Sequence, residues 1–320
     1  MNTCERIVAR ILVSAVIAMG AAGMNRDAVA DTGALRLALL PIPDTLPIHL
    51  AVENGYFADM DLSVEILPVG SAVERDQLMQ AGRVDGMINE VHGAALFNRD
   101  GAKLKIVSTT RSSARSVPMF RILAAPGANI KSTMDLADVP IGVSKNTIIE
   151  YVTERVLQQT GVESPAIVTR SVPVLPERLQ LLLSGQLKAA TLPDPLGYSA
   201  VQAGAVEVAN DQEIGLNGIV LTFSTEAVNK KTEAVQKFMD GWMRAAAEIN
   251  ADPDKFRDLM LKKIRVPKNV QQTYPIPPLT PGESVSREQW EDAVAWLVEK
   301  ELLDSEIPYE EGVTDQFLRQ

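Results

Sequence analysis

The stretch ERDQLMQAGRVDGM at residues 74–87 is restated at residues 177–190 as ERLQLLLSGQLKAA. Without gaps, the copies share Glu74 with Glu177, Arg75 with Arg178, Gln77 with Gln180, Leu78 with Leu181 and Gly82 with Gly185. Met79 falls on Leu182 and Val84 on Leu187, so the apolar positions agree as well. Each copy reads as an amphipathic helix stopped by its glycine and followed by a short apolar strand. At nearly the same offset, Asp44-Thr45-Leu46 falls on Asn146-Thr147-Ile148, both between a strand-like and a helix-like run. Two matches at nearly one offset imply an internal duplication: two α/β units of similar plan, with a cleft between them.

The chain has 320 residues, enough for two cores, with the 46% hydrophobic and 22% charged content of a globular protein. A net charge of -10 argues against nucleic acid and anionic membranes as partners. The N-terminus is distinct. Arg6 and Arg10 precede an apolar, small-residue run at residues 11–23, and Ala28-Val29-Ala30 follows before Asp31. This is the pattern of a secretory signal peptide cleaved after Ala30. The single cysteine, Cys4, precedes the apolar run, so it is not the lipid-bearing cysteine of a lipoprotein. The mature chain would then have no disulfide, thiolate nucleophile or cysteine-ligated metal. A free periplasmic protein is expected.

Along the chain, residues 35–40, 62–67, 84–88 and 104–109 read as strands alternating with helical runs, which argues a parallel sheet with helices on both faces. Residues 120–125 read as an extended crossing segment. The plan then restarts, with strands at 140–143, 166–169 and 188–192, and residues 218–223 carry the chain back. Helices are expected at 232–250, 252–263 and 287–300, and the proline-rich run 274–281 as a linker on the surface. The expected division is residues 31–118 with 218–320 as one lobe and 119–217 as the other.

In open parallel sheets, ligands sit beyond the carboxyl ends of the strands. The loops there carry Asp44, Thr45, Ser71, Glu90, Ser144, Asn146, Thr147 and Asp194, and Arg121 lies at the crossing. Each has a second reading. Asp44 binds ligand or caps its helix, Ser71 and Thr147 stand at helix starts where capping is ordinary, and Asp194 between two prolines also suits a turn. Glu90 and His92 with His49 would make a poor metal site, because two histidines lack HxH or HxxxH spacing. No metal or cofactor is expected. Tyr56, Phe57, Trp290 and Trp296 are read as core.

The opening strand followed by Ala51-Val52-Glu53-Asn54-Gly55-Tyr56-Phe57, and Gly82-Arg83-Val84-Asp85-Gly86, resemble the nitrate/sulfonate/taurine and thiamine-precursor type of substrate-binding proteins that serve ABC importers. Val139-Pro140-Ile141-Gly142-Val143-Ser144, Leu192-Pro193-Asp194-Pro195, Pro308-Tyr309-Glu310-Glu311 and Phe317-Leu318 also match. The resemblance implies a type II periplasmic binding fold: α/β, two lobes with parallel-rich sheets and flanking helices, and a two-strand hinge that closes on ligand. It implies a monomer that captures a small solute and hands it to an ABC permease with an ATPase behind it. Sulfonate and nitrate binders of this family hold their anion in uncharged loops, whereas Asp44, Glu90 and Asp194 stand in these. That favours a neutral or cationic organic solute, such as a nitrogen heterocycle, over a small anion. Arg111, Arg115, Arg121 and Lys145 lie near enough to neutralise the acids. A binder of a sulfonate, nitrate or other small anion is the alternative, and an enzyme of the same fold that makes a pyrimidine precursor stands behind it. The enzyme resembles a cytosolic protein with a cysteine-rich segment, unlike this chain, which also carries no GxSxG, P-loop or HExxH motif. A transcription-regulator effector domain would need a DNA-binding helix pair where the signal peptide stands.

Overall fold

The computed structural model describes residues 34–112, 117–216 and 218–318. The expected signal peptide and Arg115 lie outside these residues. Two five-stranded sheets form the frame. The first is built from β1 (Ala34–Leu39), β2 (Ser63–Pro68), β3 (Gly86–Glu90), β4 (Leu104–Thr109) and β10 (Ile219–Ser224), in the order β2-β1-β3-β10-β4. The second comprises β5 (Phe120–Ala124), β6 (Ile141–Val143), β7 (Thr169–Ser171), β8 (Ala189–Pro193) and β9 (Val206–Asn210), in the order β7-β6-β8-β5-β9.

The two orders are one plan used twice. In each, a strand pairs in parallel with both the strand that follows it and the strand after the duplicated helix. The fourth place in each is taken by an antiparallel strand, β10 in one sheet and β5 in the other. The sheets are therefore mixed, not purely parallel. β9, a five-residue edge strand, is an element that the sequence pattern left unmarked.

The duplicated helices are α1 (Ala72–Gln80) and α2 (Leu175–Leu183), and each is followed by a glycine at positive φ, Gly82 and Gly185. Left-handed backbone costs glycine nothing, which is why this residue recurs at both stops. The shared arginine is the clearest mark of common design. Arg75 Nη1 donates to the Ile88 carbonyl at 3.1 Å and Arg178 Nη1 to the Thr191 carbonyl at 2.8 Å, which are equivalent positions of β3 and β8. Both side chains are fully buried. Arg75 is neutralised by Asp76 and Glu90. Among the described residues Arg178 has only neutral acceptors, the Val172 and Thr191 carbonyls and the Ser144 hydroxyl, and burial lowers it to about 10.

Packing around the sheets follows the apolar spacing. The long helix between the sheets' last strand and the C-terminal run, Thr232–Ala251, buries Val235, Phe238, Met239, Trp242, Ala245, Ala246 and Ile249, one stripe at helical period. Each such large side chain contributes roughly 1.5–3 kcal/mol when taken out of water. Tyr56, Phe57, Trp290 and Trp296 are buried, as core residues should be.

One expectation fails outright. Residues 274–281 do not lie on the surface: Tyr274, Ile276 and Leu279 are buried. The prolines keep this run extended, and Tyr274, Ile276, Pro277 and Leu279 turn inward, so it serves as a strap through the core. Asn250 holds it by exchanging two bonds with Leu279, 2.8 and 2.9 Å.

Candidate functional site

Register places the candidate loops. In the first sheet, β1 and β3 end where β10 begins, with Ile219 opposite Glu90. Beyond that edge Val91 N–H donates to the Gly218 carbonyl and Thr110 N–H to the Ile219 carbonyl, both at 3.0 Å. In the second sheet, β8 ends where β5 begins, with Pro193 opposite Phe120, and Asp194 N–H donates to the Met119 carbonyl at 2.8 Å. The chain crosses between the sheets at these same edges, once from Thr109 to Phe120 and once from Asn210 to Ile219. Polar side chains at the ends of both sheets therefore meet around the crossings.

From the first sheet comes Asp44, in a short 3-10 turn (Pro43–Thr45). Its Oδ1 accepts from the Thr110 hydroxyl at 2.6 Å and from Arg111 Nε at 3.1 Å. Asp44 is 2% and Arg111 3% exposed, so this is a buried ion pair. The capping reading of Asp44 is thereby corrected: the helix Leu46–Glu53 has no side-chain cap at its start. Burial alone lowers the Arg111 guanidinium, but Asp44, with Tyr274, Asp194 and Asp211 behind it, holds it above its ordinary value.

From the second sheet comes Asp194, which receives Arg121 Nε on Oδ1 at 2.8 Å and Arg121 Nη2 on Oδ2 at 2.9 Å. This is the bidentate fork that a guanidinium makes with a carboxylate. Asp194 Oδ1 also accepts from Tyr198 N–H at 3.0 Å, and Arg121 reaches Glu207 as a second carboxylate. Burial still leaves the Asp194 carboxyl above its usual range, although Arg121 pulls the other way. Asp211 accepts from Met119 and Phe120 N–H at 3.0 and 3.3 Å, and burial pushes its carboxyl up to about 7.

Tyr274, delivered by the strap, stands among these groups. After burial, the strongest influences on its hydroxyl are Arg111, Asp194, Asp44 and Arg121, members of both ion pairs. Its ring meets Tyr198 edge-on at 5.5 Å, and the Arg121 guanidinium lies over Tyr198 at 5.7 Å. The Tyr274 hydroxyl and Arg111 Nη1 are both buried, and among the described residues neither has a hydrogen-bond partner. Sequence reasoning passed over Tyr274. The available signal was a single tyrosine followed at even spacing by Ile276, a strand-like alternation inside a proline-rich run.

The remaining sequence candidates divide. Thr45 is fully buried, but its hydroxyl is committed to the Ile42 carbonyl at 2.8 Å. Glu90 takes Arg75 Nη2 at 3.2 Å, and the Ser144 hydroxyl takes Arg178 Nη2, so both loops are pinned by the duplicated arginines. Thr147 caps the helix Ile148–Gln159 through Ile149 N–H, and Ser71 caps α1 through Glu74 N–H from an exposed position. Asn146, also exposed, adopts φ of 61° and donates its N–H to Glu150 at 2.7 Å. The structure thus brings Asp44, Arg121 and Asp194 into one cluster and gives the others local roles.

His92 packs at 4.2 Å from Tyr151 and 5.5 Å from Trp296, and burial lowers it to about 3. Among the described residues no group of histidine, cysteine, aspartate or glutamate side chains is arranged to hold a metal. No helix among them is long and apolar enough to cross a membrane.

Comparisons with known proteins agree with this architecture. The aliphatic sulphonate binding protein SsuA of Escherichia coli superposes with a TM-score of 0.75 at 16% identity, over 90% of this chain and 94% of that one. The alkanesulfonate-binding protein SsuA of Xanthomonas axonopodis pv. citri, solved with MOPS, gives 0.71 at 17% identity over 88% and 98%. The nitrate-binding protein NrtA of Synechocystis gives 0.65 at 13% identity over 90% and 87%. Comparison with curated protein sequences returns no significant match. The fold is that of the periplasmic binding proteins, as the sequence motifs implied. The family model described as NMT1/THI5 like matches residues 42–256, about two thirds of the chain, and the protein belongs to that family.

Proposed function

We propose that this protein is the periplasmic solute-capturing component of an ABC importer, holding a small organic solute between its two sheets and delivering it to the permease. The observation that carries the reading is the pair of buried ion pairs, Asp44–Arg111 and Asp194–Arg121, one from each sheet, facing Tyr274 at the strand ends. The named neighbours are sulphonate- and nitrate-binding periplasmic proteins, which supports the role. Residues 31–118 with 218–320 form one lobe and 119–217 the other, and the two crossings between the sheets act as the hinge. Opening there admits the solute, and closure buries it; differential affinity for the closed form drives the shift.

The solute is organic, and the first candidates are nitrogen heterocycles. The chain acts as a monomer and performs no chemistry on what it binds. A thermal-shift screen of purified residues 31–320 tests this, spanning heterocycles, amides, amines, sulfonates and nitrate. A solute at ~100 times its dissociation constant adds ~2.7 kcal/mol of stability. Recovery of the stabilising solute unchanged is the expected result; its conversion to product would favour the enzyme reading.

A further inference from the structure

We propose that the contact between the helix Ile148–Gln159 of one lobe and the helices Val91–Phe97 and Arg287–Glu299 of the other is a pivot, which stays closed while the cleft opens on the far side. This rests on the two-lobe reading above and names the part of the molecule about which the lobes turn.

The contact is made of directional bonds laid over an aromatic cluster. Asp292 receives Arg155 twice, Nη2 on Oδ1 at 3.0 Å and Nε on Oδ2 at 3.1 Å, the planar fork of a guanidinium on a carboxylate. Asp292 Oδ2 also accepts from the Tyr151 hydroxyl. Further along the same helices, Glu154 takes Trp296 Nε1 at 2.7 Å and Lys300 Nζ at 2.6 Å. Behind these bonds the rings of Tyr151 and Trp296 meet edge-on at 5.7 Å, and His92 packs against both. Trp296 is fully buried, and Tyr151 and His92 are nearly so. Parting the helices would return these rings to water and leave Glu154, whose side chain is 15% exposed, without its two donors.

Position makes this contact a pivot and not a clasp. A rotation displaces a contact in proportion to its distance from the axis, and the axis of two hinged lobes runs through the chain that joins them. The return crossing lies against this contact. Gln289 Nε2 donates to the Gly215 carbonyl at 3.1 Å, and the helix Ile148–Gln159 packs on the 3-10 turn Asp211–Ile214 that opens the crossing. Gly218 sits so close to that helix that a β-carbon added there would stand 2.6 Å from Ile148 Cδ1. The sheet orders agree. The strands that flank the crossings, β4 with β10 and β5 with β9, occupy one end of each sheet, and β2 and β7 occupy the other. Val91–Phe97 lies against β4 and β10, at the crossing end. The starts of α1 and α2, which follow β2 and β7 in the chain, stand far from the axis and are the parts that separate.

Double electron–electron resonance on solute-free, purified residues 31–320 tests the proposal. These residues contain no cysteine, so introduced pairs carry nitroxide labels only where they are placed. One pair, Gln159→Cys with Glu299→Cys, spans the contact from exposed positions. The other, Val73→Cys with Val174→Cys, spans the cleft mouth from side chains 66% and 54% exposed. A single narrow distance is expected across the contact, and a distribution about two-fold wider across the mouth. Glu154→Ala/Asp292→Ala removes the bonds to Trp296, Lys300, Arg155 and Tyr151, and should widen the first distribution about two-fold while circular dichroism shows the fold retained. Asp292→Ala alone, at a side chain 42% exposed, gives the same readout in milder form if the double variant does not fold. Equally wide distributions at both pairs in the wild type would overturn the pivot and leave the two-lobe reading standing. An unchanged narrow distance in the variants would show that these residues do not hold the contact and would count against the proposal. Narrow distances at both pairs would remove the lobe motion itself, and the pivot with it.

Discussion

Replacing Asp44 by asparagine removes one charge while keeping an oxygen where Thr110 and Arg111 donate. Asparagine is nearly isosteric, so the change isolates electrostatics from packing. In the wild type, Asp44 is the one carboxylate bonded directly to Arg111 among the described residues, and both side chains are almost wholly buried. Exposed ion pairs contribute about 0–1 kcal/mol. Removing one partner of a buried pair costs about 3–5 kcal/mol, because the other charge is left desolvated and uncompensated. Asp194 and Asp211 also act on Arg111 and soften the loss, which places the expected cost near 3 kcal/mol. For a chain of this size that is a fall in melting temperature of roughly 6–12 °C. Scanning calorimetry or urea unfolding reads it. The double variant Asp44→Asn/Arg111→Met should recover much of the loss, since no charge is then stranded. A single-variant cost below about 0.5 kcal/mol, the level of an ordinary surface change, would refute the buried pairing and return Asp44 to solvent or ligand.

Asp194→Asn should cost less than Asp44→Asn, because Arg121 keeps Glu207 as a second carboxylate; equal losses in urea unfolding would show that Glu207 does not compensate. Asp211 supplies a pH test. Its carboxyl is pushed up to about 7 by burial, so between about pH 4 and 7 the folded protein holds a proton that the unfolded chain has released. Its contribution therefore falls as pH rises through that window. Asp211→Asn should gain on the wild type by up to about 4 kcal/mol from pH 4 to 7.5, and a constant difference would show the carboxylate ionised throughout. Intact mass of protein from an osmotic-shock fraction should correspond to a chain beginning at Asp31; an uncleaved or lipid-modified mass would contradict the export reading.

Much of the frame was legible because it repeats. The helix pair 74–82 and 177–185 shares its residue pattern and a glycine stop, local properties a sequence displays directly, although the first copy buries only Arg75 and Met79 and presents no broad apolar face. The shared arginine was visible as an identity, yet its role was not. That Arg75 and Arg178 bury themselves on the carbonyls of the next strand depends on the helix folding back over the sheet. The direction of β5 and β10 was hidden for a similar reason: an apolar run reads the same in parallel and antiparallel pairing. The carboxylates of the site were found from their loops. Their partners were harder to assign, since Asp44 and Arg111 stand 67 positions apart, and Asp194 and Arg121 stand 73 apart. Pairing with Arg111 and Arg121 gives these carboxylates partners that the sequence alone did not show. Tyr274 was missed because proline-rich composition speaks for extended backbone, and extended backbone is as compatible with a buried strap as with a surface linker.

The most direct test of the central claim is small-angle X-ray scattering of residues 31–320 with and without a solute identified by thermal shift. The account predicts a smaller radius of gyration at saturating solute, with the solute recovered chemically unchanged. An unchanged scattering profile at full occupancy would contradict it, because a solute held between the two sheets must close them to become buried.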